Sequence, residues 1–151
     1  MTRKLRTDGP IRIRTREVEP SRRQGGEVRG LLTPLTVGTR AGFLAELSLD
    51  DGQVMNEHYH PWSDEHVVVV EGMLVLTVDG SEVELTAGDA SFVPRGTRHS
   101  YRNRSKVRSR AIAFLGPLAP SPAEGHIDIE PVPNPDASPP SIGGHAREQS
   151  D

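Results

Sequence analysis

Cysteine is absent from the 151 residues, which removes disulfides and thiolate ligands at once: any metal this chain holds must be held by nitrogen and oxygen. Long apolar runs are absent too. No stretch approaches the roughly 18 consecutive apolar residues of a membrane-crossing helix, and no apolar stretch follows the basic residues near the start as it would in a secretion signal. The expectation is a cytoplasmic chain with no membrane attachment. Apolar residues make up only 34% of the whole and mean hydropathy is -0.50, so part of the chain stands outside the core. The length suits one domain with a core of useful size. No convincing amphipathic helix lies between Gly30 and Leu115, no internal repeat is visible, and no nucleic-acid motif accompanies the basic residues, so nucleic acid is not an expected partner.

Charge is unevenly spread. Eighteen basic and 21 acidic residues leave a net -3, yet residues 95–110 hold Arg95, Arg98, Arg102, Arg104, Lys106, Arg108 and Arg110 and no acid. Such a run usually faces water and guards a sheet edge. The alternative is a docking surface for an acidic partner.

The chain divides by composition. Residues 1–29 form a basic arm in which Ile11, Ile13 and the arginines at 12, 14 and 16 alternate as a half-buried strand would, one that could be exchanged with a partner subunit. Residues 30–116 read as short strands between turn signals, the pattern of an all-β sandwich or barrel. Thr36–Val37 and Gly42–Leu49 open the series, and Asp79-Gly80 between two apolar runs predicts a type I′ hairpin turn. Pro94 ends the strand Ala90–Val93, since proline has no N–H for the ladder. Residues 117–135 are rich in proline and read as a wrapping segment, and residues 136–151 as a disordered tail.

Two spaced signatures stand inside the strand region. The first runs Gly52, five residues, His58-x-His60, four residues, Glu65, six residues, Gly72; the second runs Gly88, five residues, Pro94-x-Gly96, two residues, His99, three residues, Asn103. Histidines two apart on a strand point to one face. Glu65 can return a carboxylate to that face from the next strand, and His99 arrives from a distant one. Three imidazoles and a carboxylate suit Zn, Fe, Ni, Mn or Co, and a cation so held would act as a Lewis acid. His66 falls on the opposite face and reads as a non-ligand. His126 and His145, in the tail, are given no role. Asn103 shares the parity of His99 and Tyr101, which places it inside the barrel as a satisfied core amide or a substrate contact.

These signatures match the paired motifs of the cupin superfamily without a gap. The words TVGTRAGFLAELSLDDG, EHYHPWSDEHVVVVEG and FLGPLAPSPAEGH further resemble the small single-domain cupin cyclases of aromatic polyketide biosynthesis, of the resistomycin and tetracenomycin type, over roughly residues 30–130. The resemblance implies a β-sandwich jelly roll, or double-stranded β-helix, with extended N- and C-terminal segments. It also implies a homodimer holding one divalent metal ion, zinc foremost, on His58, His60, Glu65 and His99. The implied reaction is aldol-type ring closure and aromatisation of a poly-β-ketone, free or on an acyl carrier protein that the basic run would dock. His58, Glu65 and His99 carry the catalytic roles on this reading, and Met55, Tyr59, Trp62, Phe92, Tyr101 and Asn103 are candidate substrate contacts. Two alternatives stay open: an iron-dependent oxygenase acting on a polyketide intermediate, and a barrel that binds a small molecule without turning it over.

Overall fold

Alternation of apolar and polar residues dictates the architecture, because each strand can bury only every second side chain. The computed structural model describes residues 9–143. Ten strands follow one another: β1 Glu27–Leu32, β2 Phe43–Leu49, β3 Val54–Tyr59, β4 Asp64–Glu71, β5 Met73–Val78, β6 Ser81–Thr86, β7 Ala90–Val93, β8 His99–Arg102, β9 Ser109–Gly116 and β10 Ile127–Asp128. They form two five-stranded sheets, in the orders β1-β2-β9-β4-β7 and β10-β3-β8-β5-β6. All the pairings are antiparallel.

The order has a simple origin. β5 pairs with β6, β4 with β7, β3 with β8 and β2 with β9, so the sheets are one long hairpin rolled up on itself: the all-β class that the turn spacing predicts, in the jelly-roll form that the cupin resemblance implies. Its tip is Asp79-Gly80. Both residues have positive φ, 47° and 81°, as a type I′ turn requires. Gly72 serves a different purpose. Its φ is +72°, and a Cβ there would lie 2.3 Å from the Ser109 hydroxyl oxygen, so only glycine lets the β4–β5 connection pass this close to β9.

Between the sheets the alternating residues meet. Leu47 and Leu49, Val67 and Val69, Leu74 and Leu76, and Ala111, Ala113 and Leu115 make the core, with Tyr101 and Val93 among them. Each fully buried leucine or valine contributes about 1.5–3 kcal/mol of transfer free energy.

Three parts of the chain differ from the sequence expectation. Thr36 and Val37 are not in a strand. They belong to a one-turn helix, Pro34–Val37, whose start is held by Thr33, which caps the N–H groups of Leu35 and Thr36 while the Thr36 hydroxyl accepts from the Thr33 N–H. Capping chemistry and a proline at the first turn outweigh the strand preference of two β-branched residues. Residues 11–14 form no strand either, and Thr15–Glu17 is a single 3₁₀ turn. Finally, residues 136–143 do not stand as a free tail: Ser21 Oγ donates to the Ser138 carbonyl, Arg23 reaches the Ala137 carbonyl, and Ile142 is buried beneath Gly30. His145 lies outside the described residues.

Candidate metal centre

His58, Glu65 and His99 come from three strands of both sheets, and His60 follows β3 by one residue. Their convergence depends on one irregularity. The register steps from Met55 opposite Tyr101 to His58 opposite His99, so β3 carries one residue more than β8 across this interval. Strict alternation would send Met55 and His58 to opposite faces. The bulge turns both inward and twists the strand at the site, as bulges beside functional centres do.

All four side chains are buried. His60 Nε2 lies 3.7 Å from Glu65 Oε1, and His99 Nε2 lies 3.2 Å from Glu65 Oε2. The ring centres of His58 and His99 are 4.4 Å apart, and those of His58 and His60 are 5.0 Å apart. Potential ligand atoms fall into two overlapping triads, His60–Glu65–His99 and His58–His60–His126, each with its atoms within 4.8 Å of one another.

The outer nitrogens fix the inner ones. His58 Nδ1 contacts the Asn56 carbonyl at 2.6 Å, His60 Nδ1 the Gly125 carbonyl at 3.0 Å and His99 Nδ1 the Thr97 carbonyl at 2.9 Å. A carbonyl oxygen only accepts, so each Nδ1 carries the hydrogen and each Nε2 turns a lone pair inward. The buried Nε2 atoms of His60 and His99 have no hydrogen-bond partner. At 3.2 Å the His99 lone pair and Glu65 Oε2 would repel unless a proton or a cation lay between them. Two orphaned imidazole nitrogens facing a buried carboxylate therefore fit a divalent metal ion of the zinc, iron or manganese type.

Without a metal the same arrangement attracts a proton. Burial pulls His99 down, but the Glu65 carboxylate beside it more than offsets this and holds the imidazole above its usual value. Burial likewise pushes Glu65 up, and contacts with His99, His60 and Tyr101 outweigh it, holding the carboxyl below the usual range. His58 is depressed well below the ordinary imidazole value by burial and by its three imidazole neighbours. His60 falls to about 4, chiefly through burial. Tyr101 donates to Glu65 Oε2 at 2.6 Å, and its hydroxyl is pushed well up by burial and by that carboxylate.

The His60 shift makes a prediction with a definite sign. Between pH 6.5 and about 4 the unfolded chain holds a proton at this position that the folded chain lacks, so this residue makes stability fall as pH falls through that window. His99 acts in the opposite sense, with stability lost as pH rises through its elevated value. Urea midpoints of chelator-treated protein at pH 7 and pH 5 isolate the His60 part: His60→Gln should lose less stability across the interval than the parent chain.

The other sequence-predicted contacts separate clearly. Met55 lines a cavity of about 850 Å³ that opens beside His58, His60 and Glu65, and Tyr101 touches Glu65. Phe92 is a correction. It is 51% exposed, paired with His66 on the outer face of its sheet, because Val93 takes the inward position. Tyr59 lies past the bulge, where alternation turns it away from His58. Trp62 sits in the turn between β3 and β4, 46% exposed. Asn103 is wholly buried and fully bonded: Nδ2 donates to the Leu49 and Val107 carbonyls, and Oδ1 accepts from the Ser105 N–H and hydroxyl. It is the satisfied core amide, with no donor left for a ligand.

His126 is the residue that sequence reasoning missed. Its ring stacks on His58 at 4.5 Å and 19°, and it lines the cavity. The available signal was the spacing of His126 and Asp128, two apart in an extended segment, hence on one face. The basic run also looks different in three dimensions. Arg95 pairs with Asp64, Arg104 with Glu82, Arg108 with Asp50 and Glu27, and Arg110 with Glu46 and Glu71. Within residues 95–110 only Arg98, Arg102 and Lys106 form no ion pair with a described residue.

Comparison with known proteins adds to this geometry. A cupin domain model matches residues 45–114. The chain is 50% identical over 133 residues to the tetracenomycin polyketide synthase protein TcmJ of Streptomyces glaucescens, covering 88% of this chain and 89% of the relative. It is 42% identical over 121 residues to the polyketide synthase CurC of Streptomyces cyaneus, covering 80% and 79%. Among solved structures, the polyketide cyclase RemF of Streptomyces resistomycificus has the same fold, with a TM-score of 0.66 at 20% identity over 84% of this chain and 90% of that one. No helix among the described residues is long and apolar enough to cross a membrane.

Proposed function

From the premise that this chain belongs to the cupin superfamily, we propose that it is a metal-dependent cyclase closing rings on a poly-β-ketone in aromatic polyketide biosynthesis. The observation that carries the reading is the pair of orphaned Nε2 atoms on His60 and His99 facing Glu65 at the wall of a largely apolar cavity. Half of the sequence is shared with a polyketide synthase protein over most of both chains, which supports the substrate class.

His58, His60, Glu65 and His99 would hold one divalent ion, zinc foremost. Bound there, the ion supplies Lewis acidity toward the oxygens of a 1,3-dicarbonyl and makes the C–H between them easier to ionise. The protein does the rest. Glu65 Oε1, the carboxylate oxygen that Tyr101 leaves free, takes the proton from that carbon. The carbanion attacks a second ketone of the same chain, forming the C–C bond, and the new alkoxide recovers a proton. Loss of water then gives the aromatic ring. Met55, Ala113, Leu115 and Leu118 line the cavity and exclude bulk water while deciding which carbons meet. Such positioning supplies up to roughly 7–11 kcal/mol of barrier reduction.

On this reading the exposed Arg98, Arg102 and Lys106 dock an acidic acyl carrier protein in the cytoplasm. A homodimer forms through the outer face of the first sheet, where Phe92 and Phe114 are exposed around His66 and Val70 is exposed further along β4.

Anaerobic incubation of zinc-loaded protein with a freshly synthesised poly-β-ketone tests the proposal. Ring-closed product appearing without oxygen, one water lost per ring aromatised, is the expected outcome. Product that appears only with iron(II)-loaded protein and oxygen would assign the site to an iron oxygenase, and substrate bound but unchanged by either form would assign it to a binding barrel.

A further inference from the structure

The segment after the jelly roll makes contacts that neither signature contains. Gly125 offers its carbonyl to His60 Nδ1 at 3.0 Å. His126 stacks on His58 with ring centres 4.5 Å apart and 19° between planes. Asp128 pairs with His58 through the backbone, and its Oδ1 lies 2.8 Å from His126 Nε2 and 2.9 Å from Asn56 Nδ2. Asn56 closes the ring, because its carbonyl is the group 2.6 Å from His58 Nδ1. The Gln24 amide nitrogen also reaches the His126 ring, 2.8 Å from Nε2 and 3.1 Å from Nδ1; with Nε2–H given to Asp128, it donates to Nδ1. Both nitrogens of His126 are therefore engaged within the protein, whereas those of His60 and His99 that face Glu65 are not.

We propose that Gly125–Asp128, beyond the matched domain of residues 45–114, is a built part of the metal centre: His126, braced by Asp128 and Gln24, is a positioning residue that holds the His58 ring in its binding orientation, and Gly125 does the same for His60. The inference rests on the cluster being a metal centre, and it assigns two of the four ligand orientations to the short segment that leads into β10. Groups that orient a ligand imidazole from behind typically govern metal affinity by about 10–100-fold.

The test compares the full-length parent, His126→Ala and His126→Phe, each shown folded by its thermal transition. Affinity for Zn²⁺ is read by competition with a chromophoric chelator, and Co²⁺ spectra report the ligand field. His126→Ala should bind Zn²⁺ at least roughly tenfold more weakly with an altered Co²⁺ spectrum, and His126→Phe, which keeps a flat ring over His58, should restore most of both. A His126→Ala chain that binds like the parent overturns the proposal, as does a His126→Phe chain as weak as His126→Ala, since His126 would then act through its nitrogens. A second readout needs no metal: the His58 Nδ1–H proton should exchange slowly with solvent in the parent and in His126→Phe and quickly in His126→Ala. If the parent bound no Zn²⁺ the metal reading itself would fail, and equal exchange in all three chains would separately overturn the role given to His126.

Discussion

Replacing His60 with alanine is expected to lower kcat/KM for ring closure roughly a thousand-fold, because Lewis acidity at such a site is worth several kcal/mol and each 1.36 kcal/mol is tenfold in rate. His60 is the residue to choose because it is shared by both triads of potential ligand atoms. Removing it leaves each triad with two members. The variant should retain the fold, since the ring sits at the end of β3 rather than in the apolar core, and its far-ultraviolet spectrum should match the parent. Metal content should fall in step with activity. A His60→Ala protein that kept its cation and its turnover would show that the histidine is packing material.

Asn103→Ala is expected to have the largest effect on stability, with little effect on chemistry. The substitution removes the Asn103 donor from the Leu49 carbonyl and the acceptor from the Ser105 N–H, and leaves the Val107 carbonyl only the Ser105 hydroxyl. Each buried group so orphaned costs about 1–3 kcal/mol, and a total of roughly 3 kcal/mol is expected once solvent reaches the outer ones. That corresponds to a drop in Tm of about 10 °C for a domain of this size. Well below that temperature, kcat and KM should stay within about twofold of the parent, since Asn103 has no polar atom to spare for substrate. Unchanged stability with a raised KM would instead return Asn103 to the ligand-contact role.

Local chemistry was readable wherever it is set by spacing. Two histidines two apart, a carboxylate five residues on and a third histidine in the second signature specify the cluster, and Asp79-Gly80 specifies the hairpin from which the whole roll is built. What spacing cannot reveal is an inserted residue. The bulge between Met55 and His58 changes the parity of β3 midway, so Met55 and His58 share a face and Tyr59 leaves it. In β7 the choice between Phe92 and Val93 for the inward position is made by register with β4, where Val93 stands opposite Glu65, and four residues are too few to show a preference. The ion pairs of Arg108 with Glu27 and Asp50 span 81 and 58 residues. No local pattern announces them, so the basic run looked more open than it is. His126 was hidden for the same reason: it meets His58 only because β10 pairs with β3.

The central claim is that His58, His60, Glu65 and His99 grip one divalent cation, and titrating chelator-stripped parent protein with Zn²⁺ in a calorimeter tests it most directly. The account predicts saturation at one ion per chain with a Kd tighter than about 1 μM, equivalent to roughly -8 kcal/mol, and proton release as pH falls toward the range where His99 is charged. Heat of dilution alone, with no saturable binding at neutral pH by folded protein, would contradict it.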